Sequence, residues 1–229
     1  MPGATPGPIE STTPPADTYV DGVRAALPVA IAVGLFGVSF GVLARGAGFG
    51  PVAPVLMSMT TFGGSAQFAA VAVLAAGGSA ITAAAAAVML NARYLPIGIT
   101  ISHLLPGGPL QRLLLAQLVV DENWALAHRP RGLDGRVLLG AGAALYASWV
   151  IGTIIGVLAG AVIGNPARLG LDAAFPALFL ALLVRQLRSR RKLAAAFLGA
   201  AVSLALTPFA PPGVPVLAAG LACLVGLLP

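Results

Sequence analysis

Charge is what this sequence lacks most. Only 9% of its 229 residues are Asp, Glu, Lys or Arg, whereas a water-soluble domain carries about 25%. A globule of this size could not cover itself with so few charges, so a soluble fold is excluded. Histidine is also scarce: two residues and no Cys/His cluster leave no zinc site. A single cysteine, Cys223, excludes an internal disulfide. P-loop and metal-hydrolase patterns are missing. The chain therefore reads as no enzyme and needs no cofactor, and any uphill work draws on a gradient or a separate ATPase. Aromatic residues make up only 6% of the chain.

In place of these the chain holds long apolar runs. Hydrophobic residues make up 58% of it, and the mean hydropathy is +0.95. Such a chain needs an apolar solvent, which the bilayer supplies. Abundant Ala and Gly allow helix backbones to approach closely in lipid. A net charge of +6 could suggest nucleic acid, but the basic residues are scattered between apolar runs. Membrane topology explains them, and nucleic acid is excluded as a partner.

Residues 1–20 are rich in Pro, Thr and Ser and contain no Lys or Arg. Without a basic start or an apolar core they do not read as a signal peptide. They are expected to form a disordered tail before a single transmembrane domain, 21–229. A spanning helix needs about 20 apolar residues. The candidates are Ala25–Ala44, Pro51–Ala76, Ala80–Ser102, Leu110–His128, Val137–Ile163, Leu169–Val184, Leu193–Phe209 and Val214–Leu228. The expected class is thus an all-α polytopic bundle of about eight spans, one or more of them broken. Leu110–His128 runs into Asp121-Glu122-Asn123, so seven spans plus a half-helix compete with eight. Lys and Arg gather on the cytoplasmic side. Eight spans with both termini cytoplasmic place Arg24, the Arg129–Arg136 cluster and the Arg185–Lys192 cluster inside.

Four places interrupt the apolar pattern. In Ser58–Gln67, Gly63-Gly64 and several hydroxyls stand at mid-span. A broken helix there would offer free N–H groups to a carboxylate, while a tight helix crossing would use the same glycines for packing. Asn91-Ala-Arg93-Tyr94-Leu-Pro96 puts an arginine deep in a span, at a cost of about 2.5–3.5 kcal/mol on insertion scales. Pro96 cannot bond the carbonyl of Ala92, so a kink would expose that acceptor. Arg93 reads either as a substrate or coupling group or as a structural partner of Asp121 or Glu122. Asp121-Glu122-Asn123-Trp124 reads as coupling acids or as an ordinary interfacial helix end. Asp172, four residues before Pro176, reads first as a helix N-cap.

The segments LPVAIAVGLFGVSFGVLA, FGGSAQF, NARYLPIG, DENWAL and GLDAAFPALFLALL follow one another between about Val23 and Leu228. In their identity and order the chain resembles the AzlC family, the large subunit of branched-chain amino acid exporters. The resemblance implies a bacterial inner-membrane transporter for leucine, isoleucine, valine or similar amino acids. It also implies a small AzlD-type membrane subunit as partner. The family's motif residues fall on Gly63, Gly64, Ser65, Gln67, Asn91 and Arg93 for substrate, and on Asp121 and Glu122 for coupling or the ammonium. Asp172 is a further candidate. The Arg93-Tyr94 pair conforms to the family pattern, whereas Asn123-Trp124 departs from it. A carrier of another small metabolite and a structural subunit of a transport complex are the competing readings.

Overall fold

The computed structural model describes residues 18–130, 132–163, 180, 183–184, 187 and 189–222. Among them the chain is helical, except for one hairpin of two-residue strands, His128–Arg129 and Gly132–Leu133. The helices are α1 (Tyr19–Gly46), α2 (Val52–Thr61), α3 (Gly64–Ala75), α4 (Ala80–Asn91) and α5 (Tyr94–Ile101). They continue as α6 (Pro109–Ala116), α7 (Asp121–Leu126), α8 (Gly135–Ile163), α9 (Arg190–Leu206) and α10 (Val214–Ala222).

Two of these, α1 and α8, are long and apolar enough to cross a membrane unaided. Each begins with a side-chain cap. Thr18 accepts from the Asp21 N–H while the Asp21 carboxylate accepts from the Thr18 N–H at 2.9 Å. Asp134 accepts from the N–H groups of Arg136 and Val137 at 2.8 and 3.0 Å. These bonds satisfy donors that a helix start leaves open.

The two helices form the central pair, and glycine makes their contact possible. A Cβ on Gly22, Gly37, Gly41, Gly152 or Gly156 would collide with the facing backbone. Side chains larger than hydrogen would hold the helices apart, and dispersion contact would be lost. Gly22 lies on Val137, Gly34 on Ser148, Gly41 on Thr153 and Gly160 on Arg45. The contacts advance in the same direction along both chains, so α1 and α8 run parallel. Outward residues of the pair, such as Ile31 and Leu158, stay exposed, which suits an apolar surrounding.

The expected spans between this pair are all interrupted. Pro51–Ala76 is divided into α2 and α3 at Phe62, which takes the left-handed conformation (φ 33°) uncommon outside glycine. Ala80–Ser102 is bent by 47° between α4 and α5 and makes a third candidate span. Pro96 is the third residue of α5, where a missing N–H leaves no bond unmade. The Ala92 carbonyl is not free as expected: the Leu95 N–H donates to it at 3.1 Å. Leu110–His128 is not one helix but α6 and α7, parted by an extended Val120. Asn123 holds this break. Its Oδ1 accepts from the Val120 N–H at 2.8 Å and its Nδ2 donates to the Leu118 and Leu138 carbonyls at 3.0 and 2.9 Å. Val137–Ile163 matches α8 closely, and Leu193–Phe209 corresponds to α9. Most of Leu169–Val184 lies outside the described residues, as do the tail before Thr18, Asp172 and Cys223.

Candidate functional site

The three interruptions meet. Phe62, Arg93 and Val120, one from each break, all line a cavity of about 120 Å³. Its inner wall is formed by Val33 of α1 and by Leu145 and Trp149 of α8. Val33 and Trp149 stand at the midpoints of the two long helices, which places the cavity at mid-depth.

One wall is polar. α3 begins at Gly64 with no side chain capping it, and the first backbone bond at this end joins the Gln67 N–H to the Gly63 carbonyl at 2.9 Å. Among the described residues the N–H groups of Gly64, Ser65 and Ala66 have no acceptor, at the end of a helix where the partial charge is positive. The carbonyl side of the same break is treated differently. Tyr146 Oη donates to the Met59 carbonyl at 2.8 Å and Gln117 Nε2 to the Thr60 carbonyl at 2.7 Å. The protein partners acceptors of the broken helix itself, while two of the three donor residues, Gly64 and Ser65, line the cavity.

Arg93 stands next to those donors. Its guanidinium pairs with Asp121 at 3.2 Å and donates to Ser65 Oγ at 3.2 Å and to Tyr94 Oη at 3.0 Å. This joins the start of α3, the α4–α5 bend and the start of α7 through one side chain. Glu122 also lines the cavity. One cation, one acid and a row of free N–H groups thus share a space otherwise walled by Phe36, Phe62, Phe68, Leu145 and Trp149. Arg93 meets a partner acid as one reading of the sequence expected, and that acid is Asp121.

The remaining expected residues have other places. Gly63 packs against the Asn91 side chain, where a Cβ would stand 2.6 Å from Oδ1. Asn91 lines a separate open hollow among α2, α3 and α4, and its buried Oδ1 has no hydrogen-bond partner among the described residues. Gln67 lies behind the cavity wall. Its Oε1 accepts from Trp149 Nε1 at 3.0 Å and its Nε2 donates to Ser58 Oγ at 3.1 Å. Among the described residues no group of three His, Cys, Asp or Glu side chains could hold a metal.

Sequence reasoning passed over Trp149. Its signal was available: tryptophan favours the membrane interfaces, and this one, one of two in the chain, sits at mid-span beside Tyr146, Ser148 and Thr153.

Comparison with known proteins agrees with the resemblance read from the motifs. The model of the AzlC protein family matches residues 28–163. The inner membrane protein YgaZ of Escherichia coli (strain K12) is 29% identical over 215 residues, covering 87% of this chain and 86% of that protein. An uncharacterized membrane protein of Archaeoglobus fulgidus is 31% identical over 209 residues, with coverage of 87% and 86%. The branched-chain amino acid transport protein AzlC of Bacillus subtilis (strain 168) is 27% identical over 190 residues, 80% of this chain and 74% of that protein. No solved structure matches the chain.

Proposed function

The chain belongs to the AzlC family of membrane transport proteins, and from that premise we propose that it exports branched-chain or similar apolar amino acids across the bacterial inner membrane. The observation that carries this reading is the convergence of three helix breaks on one small cavity holding Arg93, Glu122 and the free start of α3. An amino acid presents a carboxylate, an ammonium and a side chain. The N–H groups of Gly64 and Ser65 together with Arg93 answer the first, Glu122 the second, and the phenylalanine-rich wall the third. Discontinuous helices at the midplane are the usual way a transporter presents backbone groups to such a solute.

Asp121 holds Arg93 at 3.2 Å. A substrate carboxylate competes for the same guanidinium, so loading and release are tied to the state of Asp121. Gly63, Asn91 and Gln67 keep the breaks in shape from behind, and Asp172 stays a further candidate for the same site.

The parallel pair supports the eight-span topology. If α1 and α8 both cross in the same direction, the chain between them crosses an odd number of times. Three crossings by α2–α3, α4–α5 and α6–α7 meet that condition, and two do not. The parallel arrangement also sets Arg24 on the same side as Arg136, in keeping with a cytoplasmic N-terminus. The name of the Bacillus subtilis relative supports branched-chain amino acids as substrates, and the resemblance to two-subunit exporters supports a small AzlD-type membrane partner.

Proteoliposomes containing the chain with and without the product of a neighbouring short apolar gene, loaded with labelled L-leucine or L-valine, test this reading. Efflux above empty liposomes is expected with both subunits. No flux of any apolar amino acid in either preparation would defeat it.

A further inference from the structure

Behind the cavity lies a polar cluster that the binding of a carboxylate and an ammonium does not use. Trp149 Nε1 donates to Gln67 Oε1 at 3.0 Å and shares its proton with Ser58 Oγ at 3.1 Å. Ser58 Oγ meets Thr153 Oγ1 at 2.8 Å, and Thr153 Oγ1 donates to the Trp149 carbonyl at 2.9 Å. The donors and acceptors close without conflict. Since the Thr153 hydroxyl proton goes to the carbonyl, Ser58 supplies the proton between the two hydroxyls. Its oxygen is then free to accept from Trp149 and Gln67. Ser58, Gln67 and Thr153 are all at most 1% exposed, so no water relieves them if the cluster opens, and it resists opening.

The cluster fixes one object, the indole ring. Phe40 stacks on it with centroids 6.0 Å apart, and Phe68 meets it edge-on at 5.9 Å. Its six-membered ring points at the start of α3: a Cβ on Gly64 would lie 3.0 Å from Cη2 and 3.3 Å from Cζ3. Of the other aromatic groups in the cavity wall, Phe36, Phe62 and Phe68 carry no polar atom that could fix them, and Tyr94 is held only through its hydroxyl, which accepts from the Arg93 guanidinium at 3.0 Å. Trp149 cannot swing aside without breaking bonds to α2 and α3.

We propose that Trp149 is the specificity-determining residue of this transporter, a rigid wall that sets the largest side chain the cavity accepts. The proposal rests on the amino-acid reading above. A bulky apolar side chain entering beside Gly64 meets a ring edge that cannot yield, whereas alanine, valine and leucine stop short of it. Ser58, Gln67 and Thr153 act as positioning residues, through the ring.

Two variants alter the same wall in opposite senses. Trp149→Phe removes the outer ring and enlarges the space. Gly64→Ala removes none of the cluster's polar groups and presses a methyl to within 3.0 Å of Cη2. The full-length chain in nanodiscs is titrated with labelled L-leucine and competed with L-alanine, L-valine, L-methionine and L-phenylalanine. Trp149→Phe is expected to raise affinity for phenylalanine relative to leucine by at least about tenfold, the low end for a change in an apolar pocket. Gly64→Ala is expected to shift preference from leucine toward alanine, and that shift should shrink in the Trp149→Phe background. If Trp149→Phe does not fold, the Gly64→Ala ranking alone decides. Wild-type ranking in the folded variants overturns the role of Trp149 and leaves the transporter reading standing. A wild-type chain that binds none of these amino acids overturns both.

Discussion

Glycine does opposite work in two regions of this molecule. Along the α1–α8 contact it removes side chains so that two unbroken helices touch. At Gly63-Gly64 it stands at the point where a helix stops, and the donors freed there face a cavity. The first region is rigid because nothing can be inserted between its backbones. The second is receptive because its backbone has bonds left to make. In an apolar solvent an open N–H is costly, so it survives only where a ligand or water replaces the lost partner.

The largest expected effect lies in the first region. Gly41→Val would drive a side chain into the backbone of Thr153 and Val157, and overpacking of this kind costs about 3 kcal/mol or more where the backbone cannot shift. Loss of monodisperse protein in detergent is the expected readout. A well-folded variant would mean that the central pair is not close-packed.

Arg93→Ala should do the reverse, keeping the fold and losing function. Removing a charge-assisted contact of about 1.5–3 kcal/mol corresponds to roughly ten- to hundredfold weaker substrate binding. Arg93→Lys should recover only part of this, because the planar fork that reaches Asp121, Ser65 and Tyr94 together is lost. Export at the wild-type rate by folded Arg93→Ala protein would remove Arg93 from the site.

The two acids should separate. Glu122→Gln is expected to weaken leucine binding about tenfold, in line with one charged hydrogen bond. Asp121→Asn should retain exchange of leucine for leucine while losing flux driven by a pH gradient. Assays of counterflow and gradient-driven transport on each variant distinguish the roles. Wild-type behaviour in both assays for both variants would make these acids ordinary interfacial residues.

The smallest effect belongs to Gln117→Ala. It frees the Thr60 carbonyl on the closed side of the break, at a cost of about 1 kcal/mol, read as a small fall in thermal midpoint with binding intact. A larger loss of binding than of stability would show that the carbonyl side also takes part in recognition.

Composition and local pattern were enough for the membrane class, the limits of α8 and two of the three helix breaks, whereas α1 begins at Tyr19, six residues before the expected Ala25. The reasons are local: apolar length, two adjacent glycines at 63–64, and a proline three residues beyond Arg93. The resemblance to the AzlC family was legible too, because five short motifs occur in order. Other features had no local signature. The division of Leu110–His128 depends on Asn123 reaching the Leu118 and Leu138 carbonyls. Ala92 was expected to offer an acceptor, but a tight turn to Leu95 uses it.

The sequence by itself determined that this chain needs a bilayer and where two of its three interruptions fall, because hydropathy and helix propensity act within a few turns. Only the tertiary structure decided which acid Arg93 meets, that three breaks share one cavity, that α1 and α8 run parallel, and that Gln67 grips Trp149 from behind. Those facts depend on which helix faces meet across stretches of 28 to 118 residues of chain, and no local pattern encodes a distance that long.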